Sequence, residues 1–215
     1  MNKDAILEAI KDQTHAIYKN VSHDLPFHGW HHILFVHKHA LRFCEELNAD
    51  PFLVAAAAYV HDLNYVAKAD SITAAGKDLR VDVLKKSGVD DKTIHLIETI
   101  IDQGDIYVRD NNILPEAKAL SDGDTLFKAL PITPILFAKL FMDEKNIKIK
   151  KMANTIVDIQ TPLFQKEIYF YSDSAQKYMK WAKTNLELWQ SVVEYLDDEE
   201  LSIGITGITE LDHYL

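Results

Sequence analysis

Cysteine is nearly absent from this chain. The single thiol, Cys44, excludes an internal disulfide framework and a zinc site built from cysteines. Glycine and proline are also sparse, seven and six in 215 residues. Most sit at the ends of periodic segments, which favours long helices over turn-rich β structure. No apolar run approaches the roughly 18 residues needed to cross a bilayer. The amino terminus, MNKDAILEAI, lacks the charged and then apolar regions of a signal peptide, so a cytoplasmic protein without membrane contact is expected. Positive charge is short: 23 Lys and Arg against 33 Asp and Glu leave a net charge of −10. No excess of cations exists to displace counterions from a long nucleic acid, so none is expected as a partner. Apolar residues, at 47%, are too many for a disordered chain. This length suits one compact domain that buries roughly 70% of its unfolded surface. What the chain has in quantity is histidine, ten of them.

Hydrophobic spacing predicts helices over 4–20, with Ile6, Ile10 and Ile17 on one stripe, and over 31–47, with Ile33, Val36, Ala40, Phe43, Cys44 and Leu47. Asp50 and Pro51 read as N-cap and first residue of a third helix that runs to about His61. That segment is apolar all round, so it belongs at the centre. Ser71 reads as the cap of a helix ending at Gly88, a left-handed C-cap residue. Further helices are predicted over 91–103, 115–130, 134–144, 147–159 and 173–196, the last turning Tyr178, Trp181, Ala182, Leu188, Trp189 and Val192 to the core. The acidic run from Asp197 to Glu200 opposes the dipole at a helix carboxyl end, so the helix stops there. Residues 201–215 read as a tail. The expectation is an all-α helical bundle, one domain over 1–200.

Five of the ten histidines fall in HGWHHILFVHKH, residues 28–39; His61-Asp62 ends the most apolar helix, and Asp122 and Asp124 follow in SDGD. Imidazole nitrogen with carboxylate oxygen suits a divalent first-row metal. The His-Asp dipeptide decides nothing by itself, since it occurs twice, at His23-Asp24 and His61-Asp62, close to what composition predicts. Context separates them. His23-Asp24 lies in a polar break beside Pro26 and reads as solvated loop. His61-Asp62 ends a buried helix, where a carboxylate costs several kcal/mol unless paired or metal-bound. A backbone-bonded Asp62 and a satisfied core His61 serve that local context equally well.

The ordered set goes further. A histidine opening one amphipathic helix, His-Asp ending an apolar one, and an Asp closing AKALSD resemble the HD-domain phosphohydrolase superfamily, over about Phe27 to Leu126. The resemblance implies a helical bundle that gathers these groups around one divalent metal ion (Mn, Fe, Co, Ni, Zn or Mg). HGWHHILFV matches the segment in which a histidine two places after a Trp is the first ligand, which picks His32. Tyr59-Val60-His61-Asp62 matches the apolar run into the His-Asp pair. In ALSDGD the first Asp, Asp122, is the implied ligand, and Asp124 a supporting or helix-stabilising group. His28 and His31 are candidates for contact with substrate or for support behind the ligands.

The chain also departs from that pattern. Members with two metals carry further histidines between the His-Asp pair and the last Asp. Here only His95 lies there, and its spacing from Asp91 reads as an exposed helix partner. One metal is therefore expected, and two-iron oxidation chemistry is disfavoured. The Glu that some members place shortly after His-Asp is missing from LNYVAKAD, which leaves the general acid open. His15, His37 and His39 read as surface or boundary residues and Trp30 as packing. The implied activity is hydrolysis of a nucleotide or other small phosphate ester. Asp62 would act as base and Lys68 would balance the phosphate, with Arg80 and Arg109 as weaker choices. A ligand-sensing module on the same scaffold, or an all-α interaction protein with a polar core, are the competing readings.

Overall fold

The computed structural model describes residues 2–68, 71–198 and 200, so the expected tail at 201–215 lies outside the described residues. The fold is all-α, with no strand among the described residues. Among the described residues eleven α-helices follow in order: α1 (Lys3–Lys19), α2 (Trp30–Leu47), α3 (Pro51–Val60), α4 (Leu63–Ala67), α5 (Lys77–Lys86), α6 (Asp91–Gly104), α7 (Pro115–Ala129), α8 (Ala138–Lys145), α9 (Ile149–Gln165), α10 (Asp173–Gln176) and α11 (Met179–Asp197).

The helix α3 starts as its sequence dictates. The Asp50 carboxylate accepts from the Phe52 N–H at 2.8 Å, and Pro51 takes the first position, where no N–H is needed. Every residue of α3 but Pro51 and Leu53 is buried. Its run of four alanines lets α1, α2, α6 and α7 all pack against it. Gly88 adopts φ 85°, the left-handed value expected at a helix C-cap.

Several boundaries differ from the sequence expectation, each for a local reason. Ser71 does not cap a helix. Its hydroxyl donates to the carbonyls of Asn64 and Lys68 at 2.7 Å, closing the end of α4, and a 3-10 turn (Thr73–Gly76) precedes α5. The helix α9 runs through Pro162 to Gln165 rather than stopping near 159. The carbonyl that loses its partner is that of Asp158, which is exposed and can be solvated, while buried Leu163 holds the last turn on the core. The last predicted helix is two, α10 and α11. Trp181 and Leu188, expected inside, are 40% and 45% exposed, and Asn185 and Leu186 take the buried face. Asn185 is there because its amide donates to the carbonyls of Ala129 and Leu130, at 3.1 and 3.0 Å, satisfying the end of α7.

The contact that sets the site is the crossing of α2 and α7. Gly123 makes it close: a Cβ at that position would stand 2.8 Å from both the backbone nitrogen and the Cβ of Ala40. Gly123→Ala is expected to force α2 and α7 apart and cost about 1–3 kcal/mol. A urea denaturation midpoint that does not move would show that the crossing has slack.

Candidate metal centre

Four side chains converge from the start of α2, the turn between α3 and α4, and the middle of α7. His32 lies in the first turn of α2 and is 1% exposed, with the edge of Phe127 against it at a 4.7 Å centroid distance and Phe27 stacked beyond it at 6.2 Å. His61 caps the carboxyl end of α3. Its Nδ1 bonds the Ala58 carbonyl at 2.9 Å, so Nδ1 carries a proton and Nε2 is the nitrogen left for the centre. Asp62 sits in the turn into α4. Asp124 reaches the group from α7.

Asp62 Oδ2 is 3.1 Å from His32 Nε2 and 3.2 Å from His61 Nε2; Asp124 Oδ1 is 3.4 Å from His32 Nε2. These are ion-pair distances. Even so, His32 Nε2, His61 Nε2 and Asp62 Oδ2 are all buried without a hydrogen-bond partner. Buried polar atoms left this way cost stability unless something completes them. The ligand atoms of His32, His61 and Asp62 all lie within 4.8 Å of one another, close enough to share one ion. Two imidazole nitrogens and carboxylate oxygens are a donor set for a divalent first-row cation, so the residues fit the metal that the sequence implies.

The electrostatics favour positive charge at this centre. Burial alone would lower the His32 pKa, yet the Asp124 and Asp62 carboxylates outweigh it and raise it to about 9. Burial would raise the Asp62 carboxyl, but His61 and His32 hold it well below the usual carboxylate range. Burial acts the same way on Asp124, where Lys128 and His32 prevail and depress it. Two carboxylates around one imidazole favour positive charge between them.

The two aspartates of SDGD hold the reverse of the expected positions. Asp124 is the one at His32, and it also pairs with Lys128. Asp122 is fully buried and faces away: it accepts from the N–H groups of Tyr171 and Ser172 at 2.8 Å and from the Ser172 hydroxyl at 2.6 Å. Burial nonetheless pushes its carboxyl up to about 6. On a helix, positions two apart point to different faces, so one aspartate can serve the centre while the other ties the carboxyl-terminal third to α7. Asp124→Ala is therefore expected to weaken divalent-metal binding by about 10–100-fold in titration calorimetry. Asp122→Ala is expected to spare that affinity and to lower unfolding stability by about 2–3 kcal/mol; the opposite pattern would restore Asp122 as the ligand.

The two arginines expected to meet phosphate are engaged elsewhere. Arg80 is fully buried, donates through two nitrogens to Glu98 at 2.7 Å each, and reaches the Thr73 carbonyl. Arg109 is buried among the carbonyls of Ser121, Ile168 and Tyr169 and the hydroxyl of Thr125. Both are structural, and neither is available to a substrate. Lys68 is exposed at the end of α4, where its backbone meets Asn64 and Ser71. The lysine over the site wall is Lys145, 4.0 Å above the ring of Tyr65.

His28 does come to the centre, its ring 5.8 Å from that of His32. Glu144 of α8 bonds its Nδ1, and Tyr65 stacks on its other side at 3.7 Å. His31 does not join it: exposed, it stacks on Phe137 and lines a separate cavity of about 400 Å³ with His15, Tyr18 and Trp30. His95 is exposed, and His15 stacks on Trp30. Sequence reasoning missed Glu144 and Tyr65. Glu144 lies 116 residues from His28 on an ordinary amphipathic helix, so no local signal marks it.

No protein-family model and no curated protein sequence matches the chain. Its fold is similar to that of solved structures at low identity. A Lactobacillus plantarum protein aligns with a TM-score of 0.67 at 20% identity, over 94% of this chain and 100% of that one. Lin1889 of Listeria innocua aligns at 0.58 and 18%, over 93% and 98%. Bacillus subtilis YpgQ, solved in complex with ADP, aligns at 0.56 and 21%, over 97% and 99%. Among the described residues, no single helix is long and apolar enough to cross a membrane.

Proposed function

We propose that this chain is a metal-dependent phosphohydrolase of the HD-domain type, acting on a nucleotide or a comparable small phosphate ester. The observation that carries the reading is the convergence of buried ligand atoms on His32, His61 and Asp62 that lack a hydrogen-bond partner. Asp124 completes the set as the fourth ligand. A divalent ion held there supplies Lewis-acid chemistry, drawing charge from a phosphoryl oxygen and making water a competent nucleophile near neutral pH. The chain's own residues do the rest. Asp62 orients the attacking water through its second oxygen. Phe27 and Phe127, packed on His32, keep solvent from behind the ligands. Lys145 stands over Tyr65, where it can balance phosphate charge. The likeness in fold to YpgQ, which binds ADP in its crystal, supports a nucleotide as the first substrate to try.

The test is phosphate release from a panel of nucleotides and phosphate esters with added Mn, Co, Ni or Mg. Hydrolysis that stops on chelation and returns with metal is the expected result. Hydrolysis indifferent to chelation would refute the reading. Metal and nucleotide bound without any product would replace it with the sensing module.

A further inference from the structure

We propose that the cavity between the end of α1 and the start of α2 is a second binding site, which takes a small phosphate ester that carries hydroxyl groups. The site is independent of the phosphohydrolase reading, because none of the four residues at the metal centre lines it. Tyr18 separates the two: its ring lines the cavity, and its hydroxyl is buried behind it, in the field of Asp62 and Glu144.

The cavity holds about 400 Å³, which is within the range of small-molecule sites. Gly29 lets the loop after α1 fold tightly against His31: a Cβ there would stand 2.5 Å from the Leu25 carbonyl oxygen and 3.1 Å from His31 Nδ1. The chain has a net charge of −10, yet the charged and titratable groups of the lining are Lys19 and the imidazoles of His15, His23 and His31 against one carboxylate, Asp24. Lys19 makes no ion pair among the described residues. His23 Nε2 donates to the Tyr65 carbonyl at 2.9 Å, which fixes the ring and leaves Nδ1 over. His15 stacks on Trp30 and His31 on Phe137, and neither ring makes a hydrogen bond among the described residues. Stacking and one backbone bond therefore hold three rings in place while leaving a nitrogen of each to a ligand.

A solvated hollow accounts for one exposed lysine. It does not account for three positioned imidazoles around the same hollow in an acidic chain. Ammonium and imidazole N–H groups are donors, and a phosphate offers several acceptor oxygens to spread among them. Inorganic phosphate is much smaller than the cavity, and Asp24 repels it. A carboxylate instead accepts from hydroxyl groups. A phosphate on Lys19 and the imidazoles, with hydroxyls on Asp24, uses both signs of the lining, and that is the chemistry of a sugar phosphate.

The experiment follows the histidine imidazole signals of the full chain by NMR, with metal removed by chelation, as inorganic phosphate or ribose 5-phosphate is added. Ribose 5-phosphate is expected to shift His15, His23 and His31 saturably, with a Kd below about 1 mM. It should bind at least about tenfold more tightly than inorganic phosphate. Lys19→Met is expected to weaken both by about tenfold or more. Asp24→Asn should remove the preference for the sugar phosphate without weakening inorganic phosphate, and Asp62→Ala should change neither. Lys19 and Asp24 are both exposed, so their variants are expected to fold as the wild type does. Shifts that climb without saturating up to about 10 mM, or binding indifferent to Lys19→Met, would overturn the site. Binding lost in Asp62→Ala would place the phosphate at the metal centre and overturn it as well. Equal affinity for the two ligands would overturn the assignment to a hydroxylated ester. Since no metal is present, each of these outcomes leaves the hydrolase reading to its own test.

Discussion

Asp62→Ala is expected to abolish stoichiometric divalent metal and to lower phosphate release by about a thousandfold. Asp62 Oδ2 is the atom shared by both imidazoles, 3.1 Å from His32 and 3.2 Å from His61. Without it the centre keeps two imidazole nitrogens and a single carboxylate, Asp124, whose charge is shared with Lys128. The same change has a readout independent of turnover. A ligand that binds only the folded state adds about 2.7 kcal/mol at a hundred times its Kd. In a chain of this size that corresponds to a rise in Tm of about 5–10 °C. The wild-type chain should show that rise on adding metal, and Asp62→Ala should show none while staying folded by circular dichroism. Metal retained by the variant, or a wild-type Tm unmoved by metal, would mean that the buried His and Asp atoms form a polar core and no cation site.

The second large effect lies outside the centre. Arg80 has no exposed side-chain surface, and its guanidinium meets Glu98 through two hydrogen bonds of 2.7 Å. Glu98→Ala leaves a buried cation with one carbonyl for company, Thr73. The expected cost is about 3–5 kcal/mol, a large part of the stability of an ordinary domain. Replacing both partners, as Arg80→Met with Glu98→Leu, should recover most of that loss, because the penalty is an uncompensated charge and not a missing contact. Urea midpoints of the two variants decide the matter: a Glu98→Ala chain as stable as the double variant would show that solvent reaches Arg80. Metal bound per folded molecule should not change in either.

The helices were legible because their signals are local. The cap at Asp50, the apolar all-round α3 and the left-handed Gly88 each depend on residues within a turn or two. Three of the four converging residues were legible as well, since His32 and the His61-Asp62 pair stand at helix ends whose order along the chain carries the resemblance. The assignment of the ion-side aspartate was not. Asp122 and Asp124 are both Asp in one helical turn, and which of them faces His32 depends on the rotation of α7, set by Gly123 lying on Ala40. The cations were misjudged for a similar reason. Arg80 and Arg109 look like surface charges until the groups that enclose them are known, Glu98 from α6 for one and the chain near Tyr169 for the other.

Histidine scarcely varies in sequence from one role to another, and its role here is set by what surrounds each ring. Composition and periodicity suffice for an all-α chain with a buried central helix, because burial of apolar faces follows from spacing alone. They also suffice to place His32, His61 and Asp62 at helix ends. Charge and chemistry depend on neighbours distant in the chain: Asp124 over Asp122, and Glu144 of α8 behind His28. Electrostatic and hydrogen-bonding partners act over a few ångströms of space regardless of sequence separation. The packing of α2 against α7, and of α8 beside the loop at Phe27, therefore made a centre out of residues that the chain only supplies.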